Sequence, residues 1–184
     1  KGENKDAVNR PDIVQPVIFS VEYALAMLFI SRGIRPSAMI GYSFGEYVAA
    51  TVAGVLSLED ALKLVVYRGE LVQRIEDGAM LSVPTTRDNI IPLLEGKTAI
   101  SLAIDNGDSC IVAGELSAID KFEKEAKAKK YICLRLPTNR AIHSPMMETV
   151  RKELETKIAS FRMNPPAIPY ISNVTGDWAD PQDT

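Results

Sequence analysis

Histidine is nearly absent from this chain: His143 is the only one in 184 residues, with two cysteines and a single tryptophan beside it. A zinc site needs three or four His, Cys or carboxylate ligands at close spacing, and a disulfide framework needs more cysteines than two. Cys110 and Cys133 provide neither, so no metal is expected, and they read as buried free thiols of a reducing, cytoplasmic protein. An excess of positive charge is missing as well. The net charge of −3 and a pI near 5.3 leave no basic footprint for nucleic acid. There is no internal repeat, and the polar first ten residues lack the apolar core of a signal peptide and read as a loop. One long apolar run exists, 13–30, but Gln15, Pro16, Ser20 and Glu22 interrupt it and Gly33 closes it. It is expected to be a buried helix of a soluble protein and not a membrane span.

What the chain does have is a core and a motif. Its 46% hydrophobic content and its length suit one domain, or one domain with a small inserted lobe. Gly41-Tyr42-Ser43-Phe44-Gly45 follows a short apolar strand at 38–40 and precedes a helix at 48–53. In a strand–turn–helix setting this spacing exposes a serine hydroxyl at a helix N-terminus, where amides and the helix dipole favour an oxyanion. The bland alternative is a tight structural turn. A serine nucleophile needs a general base, and His143 is the one imidazole on offer. Alone, such a histidine is more often a cap or a packed core residue; beside Ser43 it becomes the candidate base.

Farther on, Ser57 and Asp60 form a capping-box pattern that opens a helix. Ala61, Leu64 and Val65 make its apolar stripe, and Arg68 falls on the same stripe. A guanidinium on an apolar face requires an anion or an escape to solvent. From 77 to 137 the elements shorten: strand 80–83, helix 87–94, strand 99–104 with Ile100, Leu102 and Ile104 on one face, a tight turn at Asn106-Gly107, strand 110–112, helix 117–130 and strand 131–136. That order, strand, helix, strand, strand, helix, strand, is ferredoxin-like. The lysines of 121–130 read as a solvated face, with docking of an acidic protein the lesser reading. A helix from Ser144-Pro145 toward Phe161 and a strand at 168–174 follow, and 176–184 reads as a loop.

Taken together, Gln15-Pro16-Val17-Ile18-Phe19, the 41–47 run, the stretch 53–61, Arg68, Gly78-Ala79-Met80, Asn106-Gly107 and Ile142-His143-Ser144-Pro145-Met146-Met147 stand in the order of malonyl-type acyltransferases. From about Pro11 to Thr175 the chain resembles the acyltransferase domain of modular polyketide synthases, related to malonyl-CoA:acyl-carrier-protein transacylase. The resemblance implies an α/β fold: a partial α/β-hydrolase-like large lobe, 1–76 and 138–184, with an inserted ferredoxin-like small lobe, 77–137. It implies Ser43 as nucleophile, His143 as base and the Phe44 backbone amide as an oxyanion donor. Arg68 would hold the free carboxylate of a malonyl-type acyl group through its planar fork. Gln15 would lie near the floor of the site, or else be a polar helix-start residue.

The substrates implied are malonyl-CoA or a related acyl-CoA, with coenzyme A a handle and no bound cofactor. The acceptor is the phosphopantetheine of an acyl carrier protein, with a ketosynthase as neighbouring domain. Malonyl-selective relatives carry H-A-F-H, and methylmalonyl-selective ones Y-A-S-H, where this chain has Arg140-Ala141-Ile142-His143. Arg140 and Ile142 are therefore candidate specificity positions, where pocket volume is worth about 1–3 kcal/mol. Arg140 either steers an anion or, the preferred reading, points to solvent. The family's G-Q-G segment and its C-terminal region are not found, so the chain reads as an internal piece of a longer domain. A serine hydrolase or editing thioesterase, and a docking fragment without turnover, are the alternatives.

Overall fold

In the computed structural model, residues 9–180 are described; positions 1–8 of the expected N-terminal loop and 181–184 of the C-terminal one lie outside them. The chain forms two compact units, one built from residues up to Leu71 and from Glu153 onward, the other from Val72–Lys152.

In the first unit, helix α1 (Pro11–Ser31) starts on Pro11, whose missing N–H costs nothing in a first turn. Gly33 ends it at φ 85°, with Gly33 N–H donating to Ile30 and Ile34 N–H to Phe29. Strand β1 (Met39–Ile40) follows, then α2 (Gly45–Val52) and α3 (Leu58–Arg74). The expected Ser57 cap forms: the Asp60 N–H donates to Ser57 Oγ at 3.1 Å, while the Asp60 carboxylate accepts from that hydroxyl at 2.9 Å. Phe19, Val48, Leu56, Ala61, Leu64 and Val65 are the core, each such side chain adding about 1.5–3 kcal/mol when fully buried, alanine less. Gly69 carries no side chain because a Cβ there would lie 2.7 Å from the Pro11 carbonyl oxygen; α1 and α3 touch backbone to backbone.

Helix α1 corrects one expectation. Only Pro11, Gln15 and Phe19 are buried in it, while Val17, Val21, Leu25 and Phe29 are half exposed. The apolar run reads as fully buried in sequence, but the helix touches its unit along a single stripe. By length and composition alone it could cross a bilayer.

The second unit holds β2 (Gly78–Val83), α4 (Arg87–Leu94), β3 (Ile100–Asp105), β4 (Cys110–Glu115), α5 (Leu116–Ala128) and β5 (Leu134–Arg135). Its sheet is antiparallel in the order β3-β4-β2-β5. Leu81, Val83, Val112 and the helix residues Ile90, Ile119 and Phe122 fill one face; Met80, Ile111 and Ala113 on the other meet Ala141, Ile142 and Met146. Ile104 is a second correction. The register shifts between Leu102 and Ile104, so Ile100 and Leu102 pack on the helix side and Ile104 on the opposite one. After β5 come a 3₁₀ turn, Pro145–Met147, and α6 (Glu148–Ile158), which runs on into the first unit and precedes β6 (Tyr170–Ile171).

Candidate active site

β6 pairs parallel with β1, Met39 opposite Tyr170 and Ile40 opposite Ile171, and the elbow begins where that pairing ends. A Cβ on Gly41 would fall 2.2 Å from the Glu46 nitrogen, so the turn closes only on glycine. Ser43 sits at φ 50°, in the left-handed region that side chains avoid. Successive turns follow, Gly45 N–H to Tyr42, Glu46 N–H to Ser43 and Tyr47 N–H to Phe44. The Phe44 amide has no hydrogen-bond partner among the described residues, which leaves a donor beside the serine. Asn173, which sequence reasoning missed, brackets the elbow: its Oδ1 accepts from Ser43 N–H at 3.2 Å and its Nδ2 donates to the Gly41 carbonyl at 2.8 Å. Its own N–H donates to Glu46 Oε1 at 3.0 Å. Burial first, and then the Glu46 carboxylate, push the Tyr170 hydroxyl above its ordinary range.

Gln15 and Arg68 come together in the same unit. Arg68 is 9% exposed, and its Nη1 donates to Gln15 Oε1 at 2.7 Å. Its guanidinium lies 5.5 Å from the Phe44 ring centroid and 5.6 Å from that of Tyr47. No carboxylate pairs with it among the described residues. A buried cation met by one neutral amide and two ring faces retains hydrogen-bond capacity for an anion. The neighbouring Gly69, by letting α1 close on α3, sets Gln15 opposite this arginine.

His143 belongs to the second unit. It too has a left-handed backbone, φ 61°, and its side chain is exposed. The buried Ser144 hydroxyl braces that turn, donating to the Ala141 carbonyl at 2.6 Å and accepting from Met146 N–H at 3.3 Å. Ile142 is half-buried against the Met80 and Ile111 face.

Arg140 does not point to solvent as expected. It is 5% exposed, and its guanidinium donates to the carbonyls of Val72 (3.1 Å), Gln73 (2.8 Å) and Asn139 (3.0 Å) and to the Asp77 carboxylate. At the last turn of α3 this side chain satisfies the Gln73 carbonyl and adds a second bond to that of Val72, which also accepts from Ile75 N–H at 3.3 Å. Four of its five N–H groups are engaged in these bonds, which make it a helix cap. Cys110 is buried and Cys133 half-buried, both free, and burial raises both thiols above their ordinary value. Among the described residues no group of three or more His, Cys, Asp or Glu is placed to hold a metal ion.

A serine elbow with a left-handed serine stands beside a buried arginine that has no carboxylate partner among the described residues, and the chain belongs to the acyl transferase domain family, whose model matches residues 3–184. Within that family it is an acyltransferase domain of the modular polyketide synthase kind. It is similar to the acyl transferase domain of ZmaA, with 44% identity and a TM-score of 0.86, over 98% of this chain and 42% of that one. The acyl transferase domain of SpnD, solved in complex with 2-(pent-4-yn-1-yl)malonyl, shares 37% identity at a TM-score of 0.84, over 90% of this chain and 40% of that one. Erythronolide synthase EryA2 of Saccharopolyspora erythraea is 35% identical over 95% of this chain, which spans 5% of that synthase. The chain thus covers under half of these two solved chains and a small part of the synthase.

Proposed function

We propose that this chain supplies the serine and the carboxylate-binding arginine of a malonyl-type acyltransferase in polyketide synthesis. Ser43 gives its proton to His143 as its Oγ bonds to the thioester carbon of malonyl-CoA or a related acyl-CoA. The Phe44 amide stabilises the oxyanion, the carbon–sulfur bond breaks, and coenzyme A leaves with that proton. The thiol of a carrier-bound phosphopantetheine reverses the steps and takes the acyl group, while Arg68 holds the distal carboxylate throughout. On this reading the site lies in an α/β-hydrolase-like lobe with a ferredoxin-like insert, inside a cytoplasmic synthase that also carries a ketosynthase. Coenzyme A is a substrate handle and no cofactor is bound.

The observation that carries the reading is Arg68: a buried guanidinium beside the residue next to Ser43, without a carboxylate partner among the described residues. A hydrolase for plain acyl chains would be hindered by that charge. The malonyl ligand named for the SpnD domain supports a dicarboxylic acyl unit here, with Ile142 a candidate for tuning its substituent.

The test is intact-protein mass spectrometry of the full-length protein after brief incubation with malonyl-, methylmalonyl- or acetyl-CoA. A malonyl adduct is expected, lost in Ser43→Ala and displaced by acetyl in Arg68→Ala, with discrimination falling by about 100-fold. The absence of any adduct on the folded protein would reject the proposal, and rapid release of the acyl group to water would favour the thioesterase.

A further inference from the structure

Ser43 holds a backbone conformation that its own side chain disfavours, so the surrounding structure must fix it. We infer that Asn173 is the positioning residue that does so, which rests on Ser43 being the nucleophile. Its Oδ1 takes the Ser43 N–H, its Nδ2 holds the Gly41 carbonyl, and its backbone N–H ties to Glu46, so one residue grips the elbow before, at and after the serine. The parallel pairing of β6 with β1 delivers it there, two residues past Ile171. With the Ser43 amide occupied, the Phe44 amide beside it remains without a hydrogen-bond partner among the described residues.

The task requires one acceptor and one donor on a single short, planar group, which asparagine has. An ionised aspartate keeps the acceptor and sets an oxygen against the Gly41 carbonyl; protonated, it regains the donor. The titratable groups on the surrounding elements are Tyr42 in the elbow, Glu46 and Tyr47 on α2, Glu22 on α1, whose carboxylate approaches Gly45, Tyr170 on β6 and Asp177 in the turn whose carbonyl accepts from Ser172 N–H. Glu46, bonded to the Asn173 amide, opposes a second negative charge and favours the protonated form of a carboxyl introduced there.

The experiment measures labelling of Ser43 in the full-length protein by a fluorophosphonate, across a pH series. Labelling needs only an activated serine: the Oγ–phosphorus bond forms, the proton passes to the base and fluoride departs. Asn173→Ala and Asn173→Asp should slow labelling by about 10- to 100-fold at neutral pH. Relative to the unaltered protein, Asn173→Asp alone should recover as the pH falls. Circular dichroism establishes folding; if Asn173→Ala does not fold, the isosteric Asn173→Asp carries the test. Labelling of folded Asn173→Asp at the unaltered rate overturns the inference, and so does equal slowing at every pH, which a merely structural role would give. Ser43 labelling without malonyl transfer in the unaltered protein would sink the transferase reading and leave this one standing. Unchanged labelling of the variants with transfer intact would sink this one alone.

Discussion

The two glycines that frame the serine are not equivalent. At Gly41 a methyl group would lie 2.2–2.4 Å from backbone atoms of Gly45 and Glu46, which cannot move without opening the elbow. At Gly45 the nearest atom is a Glu22 carboxylate oxygen at 3.7 Å, at the end of a flexible side chain. Gly41→Ala should therefore cost about 3 kcal/mol and abolish Ser43 reactivity. Gly45→Ala, at the first position of α2, should be neutral or stabilise by up to about 1 kcal/mol. Denaturant midpoints of the two variants, with labelling of Ser43, check both; equal losses would mean that the steric account is wrong. A similar asymmetry holds among the three described non-glycine residues in the left-handed region. Lys130 merely ends α5, where Tyr131 N–H closes on Ala126, whereas Ser43 and His143 are the two candidate catalytic groups. Strain at the end of a surface helix needs no functional explanation; strain at each candidate accords with a residue held in place by its own unit.

In the second unit, one cluster of charges fastens a helix to a strand. Glu123 on α5 accepts from Lys127 at 2.6 Å and from Arg135 on β5 at 2.8 Å, and Arg135 also meets Asp120. The hydrogen bond from Lys127, and then that from Arg135, hold the Glu123 carboxyl below its ordinary 4.5. Because its folded value is lowered, its stabilisation is complete above 4.5 and fades as the pH falls through the folded value. Glu123→Gln should thus cost about 1 kcal/mol at neutral pH, kept small by partial exposure, with the two proteins converging in acid. Urea midpoints at several pH values would show it; a gap that persists in acid would assign the loss to packing. Elements of this size were legible in the sequence because their signals are local. The Ser57–Asp60 box, the 87–94 helix and the elbow each declare themselves within a few residues. What was not legible depends on distant partners. Arg140 finds its acceptors at the end of α3, 67 and 68 residues earlier, and Asn173 reaches Ser43 across 130. Neither position has a periodicity or a spacing to betray it. The bulge that turns Ile104 over likewise arises from pairing with β4 and not from the alternation of β3.

At the scale of the whole molecule, helix α1 sets the terms. Its inward stripe delivers Gln15 to Arg68 and Phe19 to the core, while Val17, Val21, Leu25 and Phe29, spaced four apart, form an outer stripe with each residue at least 50% exposed. Apolar surface of this extent on one helix face is rare on a monomeric soluble protein. The 184-residue chain on its own should therefore bind an environment-sensitive dye such as anilinonaphthalene sulfonate while its secondary structure is intact, and should self-associate as its concentration rises. Val21→Lys together with Leu25→Glu places an i,i+4 pair of opposite charges on that stripe. The pair should suppress both dye binding and association without lowering the melting temperature, because neither side chain belongs to the buried stripe. Size-exclusion chromatography with light scattering, beside dye titration and thermal denaturation, separates the cases. If the chain is monomeric and binds no dye, the outer stripe is covered in solution. A fall in melting temperature for the double variant would place the same two side chains in that cover, and α1 would then hold the fold together on both of its faces.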